Sequence, residues 1–376
     1  MKFIHLSDLH IGKRVNGFSM LEDQKYIFTK IAALIASEKP DAVLIAGDVY
    51  DMSVPAAEAV LVLDEFLYRL TQLDTKVLLI SGNHDSPERL AFGGRLLSHS
   101  GIHLSPVYTG VAEKVSFQDS YGQVDVFLLP FIKPAMVRRL FDGQDIDTYT
   151  DAVAAAIGQM DINPAHRNVL MTHQFITGSA RSESEEIAVG GADNVDAKVF
   201  APFDYVALGH LHSPQMAAGN AARYCGSPLK YSFSECGQQK SVTVVEMQEK
   251  GSLKVRALPL TPKRDMREIR GSFAEVMALA AGHPSEDYLH IILTDEEDVA
   301  DGMGRLRAVY PYLMKLSYDN QRTRLHQRVT GSTGAQGKTP LQLFEELYAL
   351  QNNQPMTPQQ RGYTAELIEK IWEERA

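Results

Sequence analysis

The chain has 376 residues, of which 44% are hydrophobic and 22% charged, and its formal net charge is −10. This length predicts two or three domains, and no apolar stretch approaches the roughly 18 residues that a membrane span needs. The net acidity argues against a protein that coats nucleic acid through a broadly basic surface. We expect a cytoplasmic protein, because two cysteines cannot build a disulfide framework and the first motif leaves no room for a signal peptide.

The first hundred residues alternate strand and helix patterns. They predict strands at 3–6, 42–46 and 76–80 and helices at 21–37, 56–73 and 86–99. Helical segments of this length between strands indicate βαβ units and a mostly parallel sheet. Ligands of such a sheet gather at the carboxyl ends of its strands.

Beyond residue 100 the pattern changes to short strands with glycine-containing turns. Further elements are predicted as a helix at 148–160 and as strands at 168–172, 205–208, 241–247 and 253–258. Residues 1–262 are therefore predicted to form one α/β domain, a sandwich of two sheets flanked by helices.

The composition changes at Thr261-Pro262-Lys263-Arg264. A β-α-β-α-β pattern follows and predicts a separate small α/β capping domain over 263–328. A segment rich in Gly, Ser and Thr predicts a flexible linker over 329–339. Two amphipathic helices are predicted within 340–376.

Five short polar segments each follow an apolar run, namely Asp8-Leu9-His10, Gly47-Asp48-Val49-Tyr50-Asp51, Gly82-Asn83-His84-Asp85, Thr172-His173 and Gly209-His210-Leu211-His212. Asp8 and His10 are two residues apart, so an extended backbone would point both side chains the same way and turn Leu9 into the core. His210 and His212 have the same spacing. This layout predicts that distant parts of the chain bring metal-ligating side chains to one edge of the predicted sheets.

The residue types in these segments are those of a metal site. Asp48 follows a glycine at a strand end, and a carboxylate exposed there can bridge two cations. The amide oxygen of Asn83 can ligate while the neighbouring imidazole of His84 reaches the substrate, and His173 adds a nitrogen donor. Mixed imidazole, carboxylate and amide ligands suit manganese, iron or zinc.

Each segment alone has a simpler interpretation, since such residues more often cap helices, form turns or bond at the surface. All five together, in this order, predict a dinuclear metal site. His5 has the opposite parity to Asp8 and His10 and is expected to point away from it. Six further histidines lie outside the motifs and are expected to be non-catalytic: His99, His103, His166, His283, His290 and His326.

The ordered motifs resemble the pattern of the calcineurin-like metallophosphoesterases, and within them the nuclease subunits of double-strand-break repair. The resemblance implies one metal ion on Asp8, His10, Asp48 and His212 and a second on Asp48, Asn83, His173 and His210. It implies manganese as the usual ion and His84 as a catalytic imidazole that is not a ligand. Asp51 stands where some relatives have a histidine. The role of that histidine in steering DNA is therefore not assigned to Asp51.

The same resemblance implies a function in DNA repair, recombination and replication. It implies a metal-dependent nuclease that cuts double-stranded DNA ends from 3′ to 5′ and hairpins as an endonuclease. The partner would be a coiled-coil ATPase, with two copies of this chain in a heterotetramer. The sequence contains no Gly-x-x-x-x-Gly-Lys-[Ser/Thr] loop, so ATP hydrolysis would have to come from that partner.

Candidate surfaces for DNA and for the partner rest on composition. Basic residues that could contact phosphates are Lys13, Arg14, Arg89, Arg305, Arg307, Lys315, Arg322, Arg324 and Arg328. Apolar stripes at helical spacing that could bind a partner are formed by Leu343, Phe344, Leu347, Tyr348 and Leu350 and by Leu367, Ile368, Ile371 and Trp372. The alternatives are a solvated basic face and helices that dock on the chain's own surface. Arg181 to Glu186 is interpreted as a mobile loop near the site.

Two other functions remain open from the sequence. The first is a phosphatase or cyclic-nucleotide phosphodiesterase on the same metal scaffold, which would need neither a basic second domain nor partner helices. The second is a non-catalytic interaction scaffold, against which the full ligand set and the presence of His84 argue.

Overall fold

The computed structural model describes residues 1–141, 143, 145–185, 193–217, 221–321, 323, 339–352 and 354–373. The chain divides into two compact units, Met1–Asp265 and Met266–Ala376. The predicted linker, residues 329–339, lies outside the described residues apart from Thr339.

The first unit contains strands and helices, which alternate only in part of its length. Its strands are β1 (Lys2–Leu6), β2 (Arg14–Val15), β3 (Phe18–Ser19), β4 (Ala42–Ala46), β5 (Lys76–Ile80), β6 (Ile102–Leu104), β7 (Glu113–Asp119), β8 (Gly122–Leu129), β9 (Arg167–His173), β10 (Phe175–Ile176), β11 (Asn194–Val195), β12 (Tyr205–Gly209), β13 (Gln215–Met216), β14 (Ala222–Tyr224), β15 (Ser241–Met247) and β16 (Leu253–Pro259). Its α-helices are α1 (Leu21–Glu38), α2 (Ala57–Thr71), α3 (Pro87–Leu90), α4 (Gly94–Leu97), α5 (Pro134–Val137) and α6 (Tyr149–Gly158).

Two six-stranded sheets dominate this unit. The first has the strand order β16-β15-β1-β4-β5-β6, and the second has the order β13-β14-β12-β9-β8-β7. The pairs β1 with β4, β4 with β5, and β5 with β6 are parallel in the first sheet, while β15 and β16 are antiparallel additions. In the second sheet β8, β9, β12 and β14 are parallel, and β7 and β13 are antiparallel edges.

Alternation of side chains along the strands produces two buried layers. In β12, Tyr205 and Ala207 belong to a core between the sheets that also contains Phe3 and Leu44 of the first sheet. The intervening Val206 joins a second core on the other face, which includes Val137 of α5 and, from α6, Ala152, Val153, Ala156 and Ile157. The predicted two-sheet α/β sandwich with flanking helices is thereby confirmed.

The predicted helix over 86–99 is wrong as one element. The segment forms the short helices α3 and α4 and a 3₁₀ turn at Ser98–Ser100. Gly93, which precedes α4, has a φ of 76°. A left-handed residue at this point ends helical geometry, so the chain turns between the two short helices.

The second unit contains a parallel three-stranded sheet in the order β17-β18-β19. Its elements are β17 (Met266–Gly271), α7 (Phe273–Gly282), β18 (Tyr288–Leu293), α8 (Gly302–Arg307), β19 (Leu313–Tyr318), α9 (Pro340–Asn352) and α10 (Pro358–Glu373). This is the predicted β-α-β-α-β pattern, followed by the two predicted helices. Its core joins one face of β18, Leu289, Ile291 and Leu293, to Val276 of α7 and Leu306 of α8.

None of the described helices combines the length with the apolar composition that crossing a membrane requires.

The guanidinium of Arg167 joins an ion pair within the second sheet to the chain that follows β15 of the first sheet. Arg167 begins β9 and is 2% exposed, and its Nη2 lies 2.5 Å from Asp119 Oδ1 at the end of β7. The same guanidinium donates to the carbonyl oxygens of Gln248 and Gly122, each at 2.7 Å. The hydrogen bond from Arg167 is the largest cause that holds the pKa of Asp119 well below its ordinary value.

Replacing Asp119 by Asn is expected to lower the free energy of unfolding by about 2–3 kcal/mol near neutral pH, because the buried guanidinium loses its charged partner. A carboxyl whose folded pKa is depressed stabilises above its unfolded pKa, here close to 3.8, and the effect is lost as the pH falls further. The deficit of Asp119→Asn should therefore shrink below about pH 4. Urea denaturation at several pH values measures it.

The matched control is Asp161→Asn, which removes a carboxylate that is 95% exposed and 3.0 Å from Lys114 Nζ. Its effect should be small at every pH, since exposed ion pairs contribute little. Equal losses in the two variants, or a deficit of Asp119→Asn that does not change with pH, would contradict the account.

Candidate metal centre

The candidate site lies at the carboxyl ends of parallel strands from both large sheets. In the first sheet Asp8 follows β1, Asp48 follows β4 and Asn83 follows β5; in the second, His173 ends β9 and His210 follows β12. Since β1, β4 and β5 are neighbours, as are β9 and β12, their ends meet at one edge. This is where parallel sheets place their ligands.

The backbone at these residues is not extended, so the expected mechanism for aligning Asp8 with His10 is wrong. Asp8, His10 and Asp48 have φ values of 53°, 43° and 48°, and His210 has a φ of 106°. Left-handed backbone costs about 1–3 kcal/mol for such residues and is typical of functional sites. Leu9 is buried as predicted, but turns at strand ends, rather than period-two alternation, direct the ligands inward.

Asp8, His10, Asp48 and His212 form the first half of the site. The Nε2 atoms of His10 and His212 are 3.0 Å apart, and His10 Nε2 is 3.6 Å from Asp48 Oδ2. Asp8, His10 and His212 offer donor atoms within 4.8 Å of one another. These four residues are at most 2% exposed.

Asp48, Asn83, His173 and His210 form the second half. His173 Nε2 lies 3.3 Å from Asp48 Oδ2 and 3.1 Å from Asn83 Oδ1. His210 Nδ1 lies 3.0 Å from the same amide oxygen. The carboxylate of Asp48 is therefore in contact with both halves.

His84 occupies a different position from the other imidazoles. Its side chain is 18% exposed, and its Nδ1 donates to the backbone carbonyl of Asp51 at 3.0 Å. Its Nε2 consequently faces the cluster, 3.9 Å from Asp48 Oδ2. With His10 and Asp48 it also lies within the distances of a metal group, yet it is the imidazole of the site that solvent reaches best.

Burial and mutual charge set the electrostatics of the site. Burial lowers the pKa of His10 and of His210 to about 3, so both rings are neutral at neutral pH and have a free lone pair. Burial, together with the nearby charge of Asp48, raises the pKa of Asp8 to about 6. Burial also opposes ionisation of Asp48, but the imidazoles, led by His173, outweigh it and hold its pKa well below the ordinary value.

His173 has the opposite shift. Burial lowers its pKa, but the carboxylates of Asp48 and Asp8 outweigh burial and raise it to about 9. A proton on His173 thus balances two buried carboxylates. Divalent cations would supply that positive charge instead, and the set of two carboxylates, four imidazoles and one amide oxygen fits such cations.

Several supporting residues were not singled out from the sequence. Asp85, the last residue of the Gly82-Asn83-His84-Asp85 motif, accepts hydrogen bonds from the backbone amides of Gly82, Val49 and Tyr50 at 2.8, 3.1 and 2.9 Å. It thereby joins the loops that carry Asp48 and Asn83. Because Asp85 belongs to this motif, its position in the sequence could have indicated a role at the site.

The segment interpreted as a mobile loop contacts the site directly. Glu185 accepts from the backbone amide of His212 at 2.6 Å, and Ser184 Oγ is 2.7 Å from His212 Nδ1. Ser184 also donates to Glu235 at 2.6 Å. The spacing of these residues along the chain carries no signal of this contact. Residues 186–192, including the last residue of the predicted loop, lie outside the described part.

Most of the first unit matches a known class of proteins. Residues 1–214 match the family of calcineurin-like phosphoesterases, and residues 262–352 match a family described as the Type 5 capsule protein repressor C-terminal domain. The fold and the grouping of ligands at one edge are those of a calcineurin-like phosphoesterase.

Two relatives indicate which kind of calcineurin-like phosphoesterase this chain is. The chain is 34% identical over 322 residues to the SbcD subunit of the nuclease SbcCD from Staphylococcus epidermidis, covering 84% of this chain and 85% of the relative. It is 34% identical over 323 residues to the protein of the same name from Staphylococcus saprophyticus, covering 84% of each. The chain therefore belongs to the SbcD family of nuclease subunits, and it is a phosphodiester hydrolase.

A solved structure, a dimetal phosphatase from Danio rerio, covers 70% of this chain and 98% of its own, with 11% identity and a TM-score of 0.40. That likeness is too weak to bear on function.

Gly82 should not tolerate a side chain. A Cβ built there would overlap Asp48 Oδ1 and lie 2.7 Å from Asp48 Cγ. Gly82→Ala is expected to lower the free energy of unfolding by about 1–3 kcal/mol, because it overpacks a buried position, and to weaken binding of Mn²⁺ by displacing Asp48. Urea denaturation and titration calorimetry with Mn²⁺ measure the two effects.

Gly158→Ala is the control, because a Cβ at that helix end meets no atom within 4 Å. It should leave both quantities close to those of the parent. Unchanged Mn²⁺ affinity in Gly82→Ala would show that Asp48 is not packed as described.

Proposed function

We propose that the chain is the nuclease subunit of an SbcCD complex and that it cuts DNA with two divalent metal ions, most often manganese. The observation that carries the proposal is the convergence around Asp48 of donors from the ends of four other strands, β1, β5, β9 and β12. Family membership supports the nuclease activity, because the named relatives are nuclease subunits.

We assign one ion to Asp8, His10, Asp48 and His212 and the other to Asp48, Asn83, His173 and His210. The distances among these donors support the two groups, and the contact of Asp48 with both supports its role as the bridge. Such a pair of ions lowers the pKa of bound water to give a nucleophile and offsets charge on the transferring phosphoryl oxygens.

His84 is assigned to the substrate rather than to an ion. The Asp51 carbonyl accepts its Nδ1–H and fixes the ring with Nε2 towards the cluster. When protonated, this Nε2 can donate to the leaving oxygen or to a phosphate oxygen that gains charge in the transition state. Its greater exposure supports the assignment, since the ligand imidazoles are buried.

We propose that basic side chains contact DNA. Some of these side chains already have partners within the chain. Lys13 Nζ is 2.7 Å from Asp51 Oδ1 and would have to exchange this bond for a phosphate. Arg14, Arg89 and Lys315 are exposed. Arg305 stacks on the ring of Phe273, with its guanidinium carbon 4.2 Å from the centroid, and Arg307 donates to the carbonyl of Leu313. Arg322, Arg324 and Arg328 lie outside the described residues.

The activity itself is tested with linear duplex DNA labelled at either end, in Mn²⁺, for the chain alone and together with its ATPase partner. We expect shortening from the 3′ ends and cleavage of hairpin substrates. His84→Gln should keep two bound Mn²⁺ ions in calorimetry but lose about 10²–10⁴-fold in cleavage rate. Asp48→Asn should lose both ions and the activity.

Generic phosphate esters, a monoester and a diester, serve as the comparison substrates. Hydrolysis of either ester by a protein that leaves DNA intact, with or without the partner, would favour the phosphatase or cyclic-nucleotide phosphodiesterase function. A His84→Gln variant that cleaves DNA at the parental rate would remove the proposed role of this residue.

The C-terminal helices are proposed to bind the coiled coil of the ATPase SbcC. α9 and α10 contact each other through polar groups, including a 2.9 Å bond from Gln360 Nε2 to the Tyr348 hydroxyl. Leu343, Phe344 and Leu347 on α9 remain 39%, 44% and 45% exposed. Apolar side chains at helical spacing suit a helical partner. The side chains of Leu350, Ile371 and Trp372 lie outside the described part.

Two copies of the chain are proposed in the assembly, as the family resemblance implies. Phe92 and Leu96 are 88% and 78% exposed, and burial of such apolar side chains would favour association.

Leu343→Glu with Leu347→Glu is expected to abolish co-purification with SbcC, because charge in an apolar interface is left desolvated. The unfolding midpoint of the first unit should not change. Val111→Glu, at an apolar residue that is 64% exposed in the first unit, is the control and should bind SbcC normally. Retention of SbcC by the double variant would place the interface elsewhere.

A further inference from the structure

His212 is held by residues from two separate parts of the chain, the 184–185 segment and Lys240. Glu185 Oε1 accepts from its backbone amide at 2.6 Å, and Lys240 Nζ donates to its carbonyl oxygen at 2.8 Å. The Oγ of Ser184 lies 2.7 Å from its Nδ1. The main chain and the ring of this residue are thus fixed independently.

Ser184 connects the imidazole to a buried carboxylate. Its Oγ is 2.6 Å from Glu235 Oε1, while the other oxygen of Glu235 is 2.5 Å from Lys240 Nζ. Glu235 is fully buried and Lys240 is 4% exposed. A carboxylate paired with a buried ammonium ion accepts hydrogen bonds and has no proton to donate.

The direction of each hydrogen bond follows from these partners. A serine hydroxyl has one proton, and Glu235 requires it. Ser184 can then only accept at His212, so the proton of the imidazole is on Nδ1. This leaves a lone pair on Nε2, the atom that faces His10 Nε2 at 3.0 Å.

We propose that Ser184, held by Glu235, is a positioning residue that fixes the tautomer and ring orientation of His212 so that Nε2 can bind a divalent metal ion. The inference rests on the proposed function, since His212 is assigned there as a ligand. Partners on the second ring nitrogen of a metal-binding histidine commonly set its tautomer, and their loss costs about 10–100-fold in metal affinity.

Two other histidines of the site have the same arrangement with a different acceptor. His173 Nδ1 lies 2.8 Å from the Ala46 carbonyl oxygen, and His84 Nδ1 lies 3.0 Å from that of Asp51. Backbone acceptors cannot be removed by substitution. At His212 the acceptor is a side chain, so its contribution can be measured.

The test compares Ser184→Ala with Ser184→Thr, which keeps a hydroxyl, in the full chain. Ser234→Ala is the matched control, because Ser234 Oγ accepts from the backbone amide of Glu183 in the same segment at 3.1 Å but is not part of the Ser184–His212 contact. Calorimetry with Mn²⁺ alone gives the number and affinity of bound ions. Nitrogen NMR of ¹⁵N-histidine in metal-free protein gives the tautomer of His212.

We expect the parent to bind two ions and to have His212 with its proton on Nδ1. Ser184→Ala should bind one ion at parental affinity and the other about 10–100-fold more weakly, and its His212 should lose the pure Nδ1–H signal. Ser184→Thr and Ser234→Ala should match the parent.

Parental affinity for both ions in Ser184→Ala, or an unchanged His212 tautomer, would overturn the inference. The inference would also be overturned if Ser184→Ala and Ser184→Thr weakened the binding of both ions equally and lowered the unfolding midpoint. Ser184 would then have a purely structural role. A parent that binds no Mn²⁺ would contradict the proposed function instead, and the tautomer, measured without metal, would still decide the orienting role of Ser184.

Discussion

The structure of the first unit depends on a carboxylate that is almost fully buried. Asp48 is 2% exposed, and it stays ionised because imidazoles from both sheets surround it. Burying an uncompensated charge is costly, so every element that carries a neighbour of Asp48 must be placed accurately. The parallel strands achieve this by ending at one edge, and the Asp85 carboxylate fixes the loops between them.

The elements with continuous apolar runs were the most predictable from the sequence. Strands 42–46 and 76–80 were predicted with their observed bounds, because fully buried strands have few polar interruptions. The break near Gly93 was not predicted, since a single left-handed glycine is hard to distinguish from a tolerated helix interior.

That the candidate residues lie together was predictable from the sequence, but the backbone geometry that brings them together was not. The motif order brought Asp8, His10 and Asp48 into one hypothesis, and the structure places them together. The two-residue spacing of Asp8 and His10 is compatible with both an extended strand and a left-handed turn, so it could not reveal the positive φ values. Ser184 and Glu235 could not be found, because they approach His212 only through tertiary folding.

The donors around Asp48 come from both sheets and from positions as far apart in the chain as Asp8 and His212. Ions held there would join the sheets as a cross-link does, and their binding free energy would add to the stability of the fold. Scarcity of such ions would then do more than stop hydrolysis. It would leave copies that open more often and are cleared sooner by cellular proteases, so the abundance of the enzyme would follow the supply of its metal.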